Sequence, residues 1–187
     1  MRKLSLLLLA ICIAAISNAQ LTGTKNIPGD YATLAAAITD LNTQGVGAGG
    51  VTFNHIAGNP ETAPAGGYSI TTLTGSAANP IVFTGNGNTI TAAAAPTAGS
   101  RTDAIFKIIG GDYITIQNYV MTENPANTTG GAIGVQQMTE FGVALFAAST
   151  TDGAQNNTIQ NNTITMSSAT TYQNAIGIFS TTASSST

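Results

Sequence analysis

Asp112-Tyr113-Ile114-Thr115-Ile116-Gln117-Asn118 and Asn157-Thr158-Ile159-Gln160-Asn161-Asn162-Thr163-Ile164 share the phrase Thr-Ile-Gln-Asn, 43 residues apart. Self-similarity at such a spacing is the mark of a repeat architecture, in which each unit buries its apolar face against the next. Upstream, Asn88-Thr89-Ile90-Thr91 matches Asn162-Thr163-Ile164-Thr165 letter for letter, which carries the pattern toward the N-terminus. Apolar strands precede the phrase in both copies, Ala104-Ile105-Phe106-Lys107 before one and Val143-Ala144-Leu145-Phe146 before the other. A third such strand opens at Ala175-Ile176-Gly177-Ile178-Phe179. Aligning these strands on their phenylalanines gives spacings of 40 residues from Phe106 to Phe146 and 33 from Phe146 to Phe179. Unequal spacing implies one geometry with loops of different length, the longest running from Glu123 to Glu140.

From Val51 onward the chain reads as short strands separated by Gly, Asn, Pro and Ser clusters. They are expected at 51–54, 68–73, 81–84, 89–91, 104–109, 113–116, 119–122, 142–147, 157–159, 163–166 and 175–179. An antiparallel sandwich has no reason to repeat one strand order. A stacked solenoid does, with Ile116 and Ile159 inside and the amides of Asn118 and Asn161 bonded along a corner at the strand spacing of about 4.8 Å. One helix is expected, capped by Asp30 and starting near Tyr31, because Tyr31, Leu34, Ala35, Ile38 and Leu41 fall on one face. Gly45 and the glycines at 47, 49 and 50 are read as its end.

The N-terminus has the form of a secretory signal peptide. Arg2 and Lys3 precede an apolar run from Leu4 to Ile16, and Ser17-Asn18-Ala19 offers small residues before a cut after Ala19. The run is short for a membrane span, so none is expected after cleavage. Ile11 is too large for the residue before a lipidated cysteine, which argues against a lipoprotein reading of Cys12. Cleavage would leave no cysteine, and three basic residues against eight acidic ones. Nucleic-acid binding needs clustered Lys and Arg and is excluded as an expectation. The expected divisions are a signal peptide at 1–19, an N-terminal segment with the helix at 20–50, and the repeats at 51–187.

The helix containing Tyr31-Ala32-Thr33-Leu34-Ala35-Ala36-Ala37-Ile38, the glycine stretch, Val51-Thr52-Phe53 and Ile56-Ala57-Gly58 resembles the entry of pectate-lyase-like right-handed parallel β-helix proteins. The two long repeats quoted above resemble the coils of that superfamily. More narrowly, the mature chain is similar to large secreted cell-surface proteins of Bacteroidetes type. The resemblance implies an all-β right-handed parallel β-helix with a short N-terminal capping helix. The pattern stops after Ile178-Phe179 in a Ser/Thr-rich tail, whereas solenoids carry a polar cap. The chain is therefore expected to be an incomplete piece of a longer β-helix, with further domains of the same chain among its partners.

Chemistry is sparse. Polysaccharide lyases and hydrolases on such a fold need clustered carboxylates. Asp30, Asp40, Glu61, Asp103, Asp112, Glu123, Glu140 and Asp152 are never adjacent or two apart. Asp103, Asp112 and Asp152 lie at strand ends and are the best acid candidates, although Asp112 after Gly110-Gly111 and Asp152 before Gly153 read first as turn residues. Lys107 alternates with Phe106 and Ile108 and is expected to face solvent. His55 is the only imidazole and has no partner in sequence for a metal site or a triad. The glycine-rich segments lack the Lys-Ser or Lys-Thr of a phosphate loop. Tyr68, Tyr113, Tyr119 and Tyr172 would stack on sugars if they faced outward, or pack between coils if they did not.

No catalytic, cofactor-binding or metal-ligating residue is therefore assigned. The expectation is an exported surface scaffold or adhesin-like module that contacts a polysaccharide or cell-surface glycan. The alternative is a polysaccharide-active lyase or glycoside hydrolase whose acids meet only in three dimensions.

Overall fold

A computed structural model of the 187-residue chain describes residues 20–96, 103–128, 138–166 and 176–180, the last by backbone alone. The signal-peptide segment, Arg101, Tyr172 and the Ser/Thr-rich tail lie outside the described residues. Among those described, no helix is long and apolar enough to cross a membrane.

Among the described residues, thirteen strands form three sheets and one helix joins the first two strands. The first sheet contains β1 (Leu21–Ile27), β2 (Val46–His55), β5 (Ile81–Thr84), β8 (Ile114–Gln117) and β11 (Thr158–Gln160), in that spatial order. The second runs β3 (Glu61–Thr62), β6 (Thr89–Thr91), β9 (Val120–Thr122) and β12 (Thr163–Thr165). The third runs β4 (Tyr68–Ile70), β7 (Ala104–Ile109), β10 (Phe141–Phe146) and β13 (Ile176–Ser180). After β2 the chain visits the three sheets in fixed rotation, and every pairing between these strands is parallel.

Alternation along each strand sends one side chain in and the next out. In the first sheet Val51, Ile81 and Ile114 share one register position, while Phe53, Phe83, Ile116 and Ile159 share another. Phe53 and Phe83 are stacked with ring centroids 4.8 Å apart. Ile90, Met121 and Ile164 align in the second sheet, and Tyr68, Phe106 and Val143 in the third. These rows build one continuous apolar core.

The helix α1 (Leu34–Gln44) links β1 to β2, which are hydrogen-bonded neighbours. It turns Leu34, Ala37, Ile38 and Leu41 inward. The Thr33 hydroxyl caps it by accepting from the Ala36 amide, and Gly45, at φ 72°, ends it. Asp30 is not the cap, because its carboxylate accepts from the Asn26 amide at 2.7 Å. Asn42 fastens the helix to the edge of β4, donating to the Ser69 carbonyl and accepting from the Thr71 amide.

These findings correct the expected fold class. The all-β right-handed parallel β-helix with an outlying capping helix does not stand in that form. The chain builds three parallel sheets opened by a βαβ unit, in which α1 is the crossover between paired strands, and this arrangement is of α/β type. The physical reason lies in β1. Its sequence Leu-Thr-Gly-Thr-Lys-Asn-Ile is buried only at its two ends, so it shows no alternation, and the helix looked external without it. The glycines at 47, 49 and 50 likewise belong to β2, where Gly49 and Gly50, at φ 86° and 81°, make an irregularity in the pairing with β1.

The repeat phrase occupies matched positions, with Thr115, Ile116 and Gln117 in register with Thr158, Ile159 and Gln160. The phenylalanine alignment is shifted. Ala104 pairs with Phe141 and Phe106 with Val143, because burial requires apolar residues at these positions without fixing which one. Asn118 and Asn161 form the corner through their backbones, at φ 59° and 54°, a conformation Asn tolerates better than most residues. The amides that bridge one pass to the next there belong to Asn88 and Asn162.

Candidate functional site

Two polar clusters are built into this frame. The first lies where α1 meets the core. Glu61 accepts from the Leu34 amide at 2.8 Å, so its carboxylate sits at the positive end of the helix. Its other oxygen accepts from the Tyr68 hydroxyl at 3.0 Å, and His55 Nε2 lies 3.5 Å away. His55 is fully buried, and burial holds its imidazole below the usual pKa, although Glu61 opposes this. The Tyr119 ring lies beside His55, at 6.0 Å between centroids. Burial, then the Glu61 charge, raises both the Tyr68 and Tyr119 phenols. This cluster anchors a helix start from 27 residues away, with His55 and Tyr68 buried in it.

The second cluster is the candidate site. Asp103 immediately precedes β7 and Glu140 immediately precedes β10. Because Ala104 and Phe141 are register partners, the two acids stand side by side, one strand spacing apart. The Phe141 amide donates to the Asp103 carbonyl at 3.1 Å, the first bond of that ladder. Asp103 is 8% and Glu140 6% exposed, and Asp103 Oδ2 and Glu140 Oε2 are buried with no hydrogen-bond partner. Burial pushes the Asp103 carboxyl up to about 6, with Lys107 opposing and Glu123 adding to the shift. Burial, then the Asp103 charge, pushes Glu140 up to about 8, against the pull of the backbone amides of Glu140 and Asp103.

Glu123, just past β9, completes the group with both oxygens hydrogen-bonded. It accepts from the Asn124 amide, the Asn127 side-chain amide, the Thr139 amide and the Thr139 hydroxyl at 2.8–3.1 Å. Asn127 in turn donates to the Ala93 carbonyl and accepts from the Ala95 amide, tying the cluster to the preceding pass. A shallow, half-open recess adjoins it, with Gly67, Pro96, Asp103 and Thr139 among its walls. Gly67, at φ 77°, is required there, since a Cβ would lie 1.9 Å from the Ala104 carbonyl oxygen.

The three candidate acids do not come together, and the turn reading of Asp112 and Asp152 is the one their hydrogen bonds fit. Asp103 is separated from Asp112 and Asp152 by the length of β7, roughly 20 Å at the usual strand rise. Asp112 accepts from the Gln155 amide at 2.6 Å, and Asp152 closes a tight turn with Ser149. Both are turn residues. Lys107 is half-buried rather than solvated, and burial lowers its pKa while Asp103 opposes. Tyr68 and Tyr119 are 1% exposed and pack inside, so neither offers a face to a sugar. Glu123 and Glu140, passed over in sequence, join Asp103 instead. They are the two ends of the longest insertion, whose residues 129–137 lie outside the described set.

Among the described residues, no three His, Cys, Asp or Glu side chains are arranged to hold a metal ion. No family model, curated protein or solved structure matches the chain.

Proposed function

We propose that the chain is an exported, surface-displayed scaffold module whose exposed polar rows make weak contact with glycans. One observation carries this reading: side-chain rows that run from pass to pass. Asn86 donates to Asn54, which donates to Asn26, each at 2.8 Å. Gln160 donates to Gln117, which donates to Thr84, also at 2.8 Å. Such rows repeat donors and acceptors at the strand spacing of about 4.8 Å, a surface suited to sugar hydroxyls. Export rests on the signal-peptide pattern at 1–19.

A shallow polar surface with Tyr68 and Tyr119 buried supports affinity near a Kd of about 1 mM, some 4 kcal/mol. Titration against a panel of neutral and acidic glycans tests this. Saturable millimolar binding that weakens when Gln117 or Asn54 becomes Ala is expected. Absence of binding across the panel, or binding indifferent to both changes, refutes the glycan part. Protease shaving of intact cells tests display.

Asp103 and Glu140 favour a second reading, a glycan-active enzyme. Carboxyls whose surroundings push their pKa values apart are the pattern from which acid and base roles are made. Release of reducing ends or unsaturated products separates the two readings.

A further inference from the structure

We propose that the Asp103–Glu140 carboxyl pair is a proton-operated latch that fastens the start of β10 to β7 and releases it as the pair loses its protons. The proposal goes beyond the scaffold reading and stands on the packing of the corner. The acids are register neighbours on adjacent parallel strands, and each is more than nine-tenths buried. Each also keeps one oxygen without a hydrogen-bond donor. A protonated carboxyl tolerates such a place, whereas two carboxylates side by side would repel each other with only Lys107 and two backbone amides to offset them.

The charged groups facing the pair sharpen the effect. Lys107 on β7 is the one described cation coupled to Asp103. Glu123, from the segment after β9, adds negative charge and is tied by two hydrogen bonds to Thr139, the residue before Glu140. The flanking segment at Ala93 and Pro96 brings no titratable side chain. On β4 the titratable group, Tyr68, is directed to Glu61. Release therefore consists of each carboxyl giving its proton to water, leaving two negative charges beside a third with one lysine to offset them. Opening the ladder at the Phe141–Asp103 bond lets water reach both, while Thr139 stays tied to Glu123.

Amide hydrogen exchange on the full protein tests the latch. The Phe141 amide reports the Asp103 contact, and the Gly85 amide, bonded to the Gln117 carbonyl, serves as an internal control. With Glu140 at about 8 when closed and 4.5 when open, the opening constant of Phe141 should rise about 100-fold between pH 6 and pH 9 and then level off. This applies after correction for intrinsic exchange, and Gly85 should stay flat. In Glu140→Gln the rise should be largely lost. A wild-type rise smaller than threefold, or an undiminished rise in Glu140→Gln, overturns the proposal. Should that variant fail to fold, carboxyl-carbon NMR of the wild type decides: a Glu140 midpoint above pH 6 supports the latch and one below pH 6 overturns it.

Discussion

Replacing Asn88 by Ala removes one side chain that binds three backbone groups of the preceding pass. Its oxygen accepts from the Asn59 amide at 2.8 Å, and its nitrogen donates to the His55 and Ile56 carbonyls at 3.1 and 2.8 Å. Asn88 is 3% exposed, so water does not replace it freely. The bond to His55 is buried, but the Asn86 side-chain amide also donates to that carbonyl at 3.0 Å, so its loss costs about 0.5–1.5 kcal/mol. The other two bonds are part-buried and contribute about 0.5–1.5 kcal/mol each. The sum is about 3 kcal/mol, or a fall in Tm of roughly 6–12 °C for a chain of this size. Asn54→Ala is the matched control. It breaks two amide contacts, to Asn26 and Asn86, that solvent can replace, and should cost less than about 1 kcal/mol. Urea unfolding followed by circular dichroism measures both. An Asn88→Ala cost below about 1 kcal/mol, or an equal cost for Asn54→Ala, would refute the claim that buried corner amides fasten the passes.

Stability should fall as pH rises from about 4.5 through 8, because Glu140 and Asp103 bind protons more tightly in the folded state. At 1.36 kcal/mol per pH unit the ceiling for Glu140 is roughly 5 kcal/mol, and Glu140→Gln should flatten most of that loss in unfolding titrations at pH 5, 7 and 9. His55 acts with the opposite sign, since its lowered pKa costs stability as pH falls below 6.5; its imidazole NMR midpoint should lie under that value, and one at or above it contradicts the buried neutral ring. Gly67→Ala should destabilise by about 3 kcal/mol, combining left-handed strain of ~1–2 kcal/mol with displacement of the Ala104 carbonyl; a wild-type Tm would show that the β4–β7 approach is looser than described. Glu61→Gln should weaken the anchored helix start by about 1–2 kcal/mol, read as lost exchange protection at the Leu34 amide, which an unaltered rate would contradict.

Much of this was legible in the sequence, and the reasons it was incomplete are local. Ile81–Thr84, Thr89–Thr91 and Ala104–Ile109 were bounded correctly because the first two alternate and turn residues bracket the first and third, Pro80 and Gly85 for one and Asp103 and Gly110 for the other. β1 and β3 escaped because neither alternates: one is buried only at its ends and the other is two residues long. The site escaped through alignment. Matching Phe106 to Phe146 hid that Asp103 and Glu140 hold the same position, one residue before a third-sheet strand. Matching strand starts would have paired two acids across a parallel ladder, an arrangement unfavourable enough to stand out. Glu61 carried no such signal, because its partner Leu34 is a backbone amide on a distant helix and donors of that kind leave no trace in composition.

The central functional proposal is that this chain presents a polar surface, rather than an active site, to glycans. Its most direct test is product release, by reducing-end and unsaturated-uronate assays, from the glycans that the protein binds. The scaffold account predicts weak binding with no product above a denatured control between pH 5 and pH 9. Turnover that disappears in Asp103→Asn or Glu140→Gln, while those variants stay folded, would contradict it and make the carboxyl cluster an active site.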